Sequence, residues 1–400
     1  LFSRVLFPAR FHRNRRAEGN RFPGILSFMD YLGTIILTPS GRKTDLERCS
    51  LSHFRHRYSD PDRLSAPPPF HELPPASRYN SYTGAVSFFH FVRRDERYSL
   101  IHRGTLKKER DKIQHAAAMD DMTIAVAFEN RIETWSLPVS IHEERFTASG
   151  ASISNSFDHP HFSGIHTVFA LPRSRLAISA SAPDTVFVLD TLSGNIEHSL
   201  RMPENIYGRN YVLAEDMDLR QHYINNDLQT THVNCAYPMD DSGTRLVVST
   251  LIQGAIGVFD IPGGDYVELT RGYTGCHGAR VNEQGEIYFA DSANGRLIIL
   301  DNEGRASREF RIDSLWLHDV QHLCGSIYAF AIADRNELRI CNIESGETCF
   351  SKRYFVSPFN MHPRLGFLHE VIRRLPLWCG DSTQFLSFLP SPKPRPAARS

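Results

Sequence analysis

Imidazole binds divalent metals and exchanges protons near neutral pH. Five histidines of this 400-residue chain, His115, His166, His232, His277 and His318, open segments of similar design. Four of those segments run on to an Asp or Asn that ends an apolar stretch. The interval is 24 residues from His166 to Asp190, from His277 to Asp301 and from His318 to Asn342, and 28 from His232 to Asp260. Residues at one phase of a repeat converge on an axis when the repeats are arranged radially, and three or four converging imidazoles bind a divalent ion, with nitrogen distances of about 2.0–2.1 Å for zinc. An open coordination position then holds water or substrate for Lewis-acid chemistry. His166, His232, His277 and His318 are therefore the candidate metal ligands, and these residue types do not distinguish zinc, manganese, iron(II) or calcium. Arg280, three residues after His277, is the candidate anchor for a substrate anion. Asn234, two residues after His232 and on the same side of a strand, is the candidate orienting group.

Positioning such a ring requires short, regular elements. Each histidine-to-Asp interval holds three β-rich runs separated by turn residues, as in IHTVFALP, RLAISAS and DTVFVLD, with SGNIEHSL as a fourth. These four-stranded units repeat every 41 to 66 residues, a sequence pattern of repeat architectures. One such unit cannot bury both its faces, and radial stacking into a β-propeller buries them while leaving only short edges. Five units are visible between 114 and 351, and a sixth is expected from Tyr79–Leu106 or from a strand supplied by a terminus. The expected fold is all-β, a six-bladed propeller spanning 79–351. An irregular N-terminal region (1–78) precedes it, and a C-terminal helix with a disordered tail (352–400) follows.

A competing reading makes the histidines structural. WD-type repeats carry a Gly-His pair that braces each blade, but that histidine lies in a loop further ahead of the terminal Asp. Gly275-Cys276-His277 and Gly164-Ile165-His166 resemble that pair only loosely. His115 is the weakest member of the set. His159, His161 and His322 are local alternatives, and Asp291 and Ser292 read as turn residues.

Lys and Arg total 45, as do Asp and Glu; this balance gives no electrostatic footprint for nucleic acid or an anionic membrane. The expected partner is a small-molecule substrate, with oligomeric state left open. Seven cysteines without a C-x-x-C pair favour a reduced setting, so a soluble, cytoplasmic chain is expected, with no apolar run near the roughly 20 residues that span a bilayer. Residues 1–28 carry six Arg against one acid and admit either an organelle-targeting reading or translation from a start upstream of Met29. Residues 61–75 read as a Pro-rich linker, and GFLHEVIRRLPLW within 352–380 as a short amphipathic helix. The long connection 203–231 reads as a lid over the channel mouth or an ordered flap.

The segments IQHAAAMDDMTIAVAFENRIETWSL, IHTVFAL, THVNCAYP and GCHGARVNEQGEIYFADSANGRLIILD together resemble a conserved-hypothetical family of β-propeller proteins with one histidine per blade. The resemblance covers about 114 to 310. It implies that His166, His232, Asn234, His277, Arg280, Ser292 and Gly295 occupy the family's recurring positions. More distantly, the arrangement is similar to six-bladed propeller lyases and lactonases that hold a metal on the axis. The function expected is a metal-dependent lyase, hydrolase or isomerase acting at the channel mouth. The alternative is a non-catalytic propeller whose rim binds a protein.

Overall fold

A computed structural model of the chain describes residues 29–42, 82–95, 97–109, 111–208, 217–222, 229–335, 337–353 and 383–392. Among these residues the strands form six four-stranded antiparallel sheets, arranged as a six-bladed β-propeller. Blades 2 to 6 follow the chain in order, at 113–157, 165–201, 233–270, 276–311 and 317–353. The innermost strand of each comes first: Ile113–Ala118, Ile165–Leu171, Val233–Pro238, Cys276–Val281 and Leu317–Cys324. Each inner strand contacts the next around the axis.

Blade 1 is composite. Met29–Arg42, Tyr82–Arg94 and Arg97–Glu109 supply three strands, and Thr383–Pro390 supplies the innermost, paired antiparallel with Met29–Arg42. It lies between the inner strands of blades 6 and 2 and closes the ring. The sheet therefore reaches beyond the expected 79–351 span on both sides, and part of the expected disordered tail is a strand. Thr383–Pro390 cannot be recognised as the innermost strand by itself, because its hydrogen-bonding partner Met29–Arg42 lies at the opposite end of the chain. Residues 1–28, the Pro-rich linker at 61–75 and the expected helix GFLHEVIRRLPLW lie outside the described residues.

The sequence pattern follows from burial. Inner and middle strands lie between two neighbouring blades and are buried on both faces: Ile327–Ile332 and Ile165–Val168 are buried without a break. Outermost strands have one blade behind them and water in front, as in the largely exposed Ser152–Phe157 and Ala306–Arg311. Each of the six blade interfaces has its own apolar cluster. A fully buried Leu, Ile or Phe contributes about 1.5–3 kcal/mol, so the stacking of blades, rather than any one sheet, carries the stability. The Asp and Asn residues that marked the repeats accept backbone N–H groups in the turn after the third strand: Asp190 from Leu192, Asp301 from Glu303 and Asn342 from Glu344. This is the local bonding that makes these residues turn formers.

Candidate functional site

The inner strands of blades 2 to 6 share a defect that builds the site. Pairing with the second strand slips between Ile113 and His115, Ile165 and Thr167, Val233 and Cys235, His277 and Arg280, and Leu317 and Asp319. Each slip is a β-bulge, which leaves a residue unpaired and re-aims its side chain. The bulges put Gln114, His166, Asn234 and His318 at equivalent positions, with Gly278 and Ala279 in blade 5. His277 stands at the start of its bulge, and His232 one residue before its strand.

The structure brings four of the candidates into one axial layer. His166 meets His232 edge-on with centroids 4.5 Å apart, and His277 lies against His318 at 4.6 Å. Phe385, from the C-terminal strand, fills the remaining side, 4.5 Å from His318 and 5.9 Å from His166. All four imidazoles are buried, at 9, 1, 2 and 5% exposure for His166, His232, His277 and His318. Burial pushes His232 down to about 3, helped by the Lys112 and His318 charges. Burial likewise holds His166 and His277 well below the usual imidazole range, with neighbouring histidines adding to the effect. These three rings are neutral at pH 7, the form that binds metals and hydrogen-bonds both ways.

His277 is oriented. Its Nδ1 is 2.9 Å from the Gly275 carbonyl and 2.9 Å from Ser292 Oγ. A carbonyl only accepts, so Nδ1 carries the proton and Nε2 the lone pair. His166 Nδ1 and both nitrogens of His232 are buried with no hydrogen-bond partner, each a desolvation cost of about 1–3 kcal/mol. The backbone at His232 is strained as well, at φ +53°, a region costing L-residues roughly 1–2 kcal/mol. Among the described residues, the other non-glycine positions with positive φ, Asp95, Arg173, Ser174 and Asp184, lie in turns. Asp184 enforces the bend before His232: its carboxylate accepts the N–H groups of Thr230, Thr231 and His232 and the Thr231 hydroxyl. Strain and unmet polar groups thus coincide at one residue.

The remaining candidates have other surroundings. Arg280 lies below this layer and is fully buried. Its guanidinium grips Asp319 through two bonds of 2.6 and 2.8 Å and donates to the carbonyls of Gly278, Val320 and Leu386. Asp319 in turn accepts from the N–H groups of Val320 and Leu386. A Cβ at Gly278 would stand 2.0 Å from Asp319 Oδ1, so glycine is required there. Arg280 is therefore a tie between blades 5, 6 and 1. Its reach inward is spent on Asp319, which the bulge turns toward it, whereas a regular strand would have turned Asp319 away. Asn234 is likewise engaged between blades. Its amide donates to the Cys276 carbonyl and its carbonyl accepts from Ser249, joining blades 4 and 5. His115 also lies one layer down, with Nδ1 2.9 Å from the Val168 carbonyl and Nε2 3.2 Å from that of Leu386. His322 packs on Tyr288 and Tyr328 and reaches the Gly325 carbonyl.

The connection 203–231 is anchored wherever it is described. Tyr207 donates to Glu268 and pairs with the Tyr266 hydroxyl. Leu219 is buried and bonds the Pro160 carbonyl ahead of blade 3, and Arg220 pairs with Asp158.

Among the described residues, no three His, Cys, Asp or Glu side chains converge as a metal ion requires. The four imidazoles form two pairs instead. The chain matches no protein-family model, and no curated protein matches it. A similar solved structure is selenomethionine-substituted virginiamycin B lyase from Staphylococcus aureus, 12% identical with a TM-score of 0.43, the match covering 68% of this chain and 82% of that one. No residue of this chain takes a role from it. Among the described residues, no helix is long and apolar enough to cross a membrane.

Proposed function

We propose that the axial histidine layer is the working site of an enzyme of lyase, hydrolase or isomerase type, acting on a small polar substrate with a divalent metal held first by His166 and His232. The observation that supports this reading is the set of three partnerless, buried nitrogens on two adjoining rings. Groups left unsatisfied in a native interior point to an occupant, and neutral imidazole nitrogens have the donor chemistry of a zinc or iron(II) site, or of manganese with added carboxylate or water. His277 and His318 face them as a second pair, with the His277 tautomer set by Gly275 and Ser292 in the way that outer contacts set metal-bound histidines. When bound, the ion would polarise a carbonyl or hydroxyl oxygen of the substrate.

The separation into pairs favours a second reading, a non-catalytic propeller that binds a protein at its rim. Elemental analysis and titration with zinc(II) and cobalt(II) discriminate between them. The metal reading expects about one ion per chain, lost in His232→Ala. Metal-free protein that takes up neither ion leaves the interaction propeller.

A further inference from the structure

Every blade ends in an edge strand, and an edge presents unpaired N–H and C=O groups that another chain can join. Native sheets blunt such edges with bulges and with charged side chains. All six outermost strands here carry a bulge, since each slips register once against its neighbour. Charge is withheld from one. The outermost strands of blades 1, 3, 4, 5 and 6 each carry at least one ionised residue, among them Arg103, Glu197, Glu268, Glu309 and Lys352. Blade 2 ends in Ser152–Phe157, which carries none. The uncharged run extends back to Thr147, and the charges at its two ends are already paired, Arg145 with Glu143 and Asp158 with Arg220. Five of the six strand residues are exposed, and Ile153 keeps 51% of its surface in water. The strand is fixed all the same: the bulged Ser154 donates its hydroxyl to the Thr134 carbonyl at 2.9 Å. Among the described residues no strand pairs with its outer side.

We infer that Ser152–Phe157 is a docking edge whose occupant is a second copy of this chain, the two strands pairing antiparallel about a two-fold axis to join two blades in one sheet. The chemistry suits a copy of itself. A two-fold interface brings the same patch of both copies together, so a charge on the strand would meet its own kind, which is destabilising across a strand pair. Here the facing groups are serine hydroxyls and the Asn155 amide, which donate and accept alike, and an isoleucine that gains by meeting an apolar partner. Each copy presents one such edge among its described strands, so the pairing closes at two. Six residues of strand span about 20 Å. A contact of that length lies at the low end of interface sizes, so the dimer is a transient one, half formed at about 10 µM to 1 mM. The inference is independent of what the axial layer binds.

Analytical ultracentrifugation of the full chain reads the association directly. The parent is expected to pass from monomer to dimer, without larger species, as its concentration rises from about 1 µM to 1 mM. Ile153→Lys sets like charges against each other across the shared edge and should weaken dimerisation by about 10-fold or more. Its melting temperature should not change, because the side chain is half exposed. Val267→Lys, at a 59% exposed position on the outermost strand of blade 4, should dimerise as the parent does. Mixing Ile153→Lys with Ile153→Glu should restore association, since the two copies then bring opposite charges to one edge. A parent that stays monomeric throughout overturns the inference. So do an undiminished dimer in Ile153→Lys, an equal loss in Val267→Lys, and a mixture that does not recover. If Ile153→Lys does not fold, Asn155→Lys, exposed on the same strand, takes its place with the same expected outcomes.

Discussion

Two layers of the same inner strands, one above the other, are built on opposite terms. The upper layer holds His166, His232, His277, His318 and Phe385, with three partnerless imidazole nitrogens. The lower holds His115, Arg280, Asp319 and the backbone of Leu386, and there the four terminal N–H groups of Arg280 and both Asp319 oxygens are bonded within the protein. Both layers are desolvated, so the contrast is not one of exposure. It is one of degree: the lower layer closes the ring and leaves only the Arg280 Nε–H without a partner, whereas the upper leaves three nitrogens on two adjoining rings. Polarity on the axis is therefore no guide to function until each donor and acceptor has been counted.

The largest expected effect comes from breaking the lower layer. Asp319→Ala strands the Arg280 charge in an apolar interior and frees the N–H groups of Val320 and Leu386. A loss of about 3–5 kcal/mol is expected, as for other broken buried pairs, read by urea denaturation. The double variant Arg280→Met with Asp319→Leu should recover most of it, since removing both charges leaves no unpaired ion. A single variant within 1 kcal/mol of the parent would remove the contrast between the layers.

Acid acts on both layers. The unfolded chain protonates histidine near 6.5, whereas burial holds folded His115 at about 4, His232 at about 3, and His166 and His277 well below the usual range. A depressed folded value means that, below 6.5, the unfolded state binds protons the native state refuses. Stability is therefore flat above 6.5 and falls as pH drops toward 4, by up to about 1.4 kcal/mol per pH unit for each such histidine. Asp184, raised by burial to about 6, opposes with one proton, because the native state keeps a proton that the unfolded chain loses above 3.8. The net acid slope should remain destabilising, and His232→Ala should reduce it by about one histidine's share. An unchanged slope in that variant would mean that His232 is not held neutral.

How much of this was readable beforehand depends on the kind of information involved. The blades were legible because β-rich runs and turn residues recur locally, and Asp190, Asp301 and Asn342 mark turns by their own short bonds. Four axial histidines were legible because repeat phase maps onto the axis. The bulges were not, since a slip of register is a property of two strands and leaves no mark on one. That is why His115 was grouped with the ring although Gln114 holds the equivalent place, and why Arg280 and Asn234 looked available for chemistry. The composite blade was partly hidden for the same reason: Phe385 reaches the layer on a strand whose partner lies at the other end of the chain.

Within the upper layer, Ser292 tests whether the His277 tautomer matters. Ser292→Ala leaves the Gly275 carbonyl to hold Nδ1 and removes one of its two contacts. Metal affinity should fall about 10-fold, the low end for an outer contact, with little change in melting temperature, and an unchanged affinity measured with zinc(II) would confine Ser292 to its turn.

The smallest stability effect should come from the residue most important to binding. His232→Gly deletes an imidazole whose nitrogens are both unsatisfied, which relieves two desolvated groups, and it relaxes a backbone held at φ +53°. Against this stand the loss of the ring contact with His166 and the cavity left behind, together with the greater freedom glycine gives the unfolded chain, about 0.5–1 kcal/mol. Gains and losses are of similar size, so the metal-free variant should unfold within about 1 kcal/mol of the parent. Zinc(II) or cobalt(II) uptake should nevertheless disappear. If His232 were instead a brace of the blade, like His115 below it, the same substitution would cost several times more and there would be no metal uptake to lose. The two measurements together decide whether the upper layer differs in kind from the lower or only in the number of its bonds.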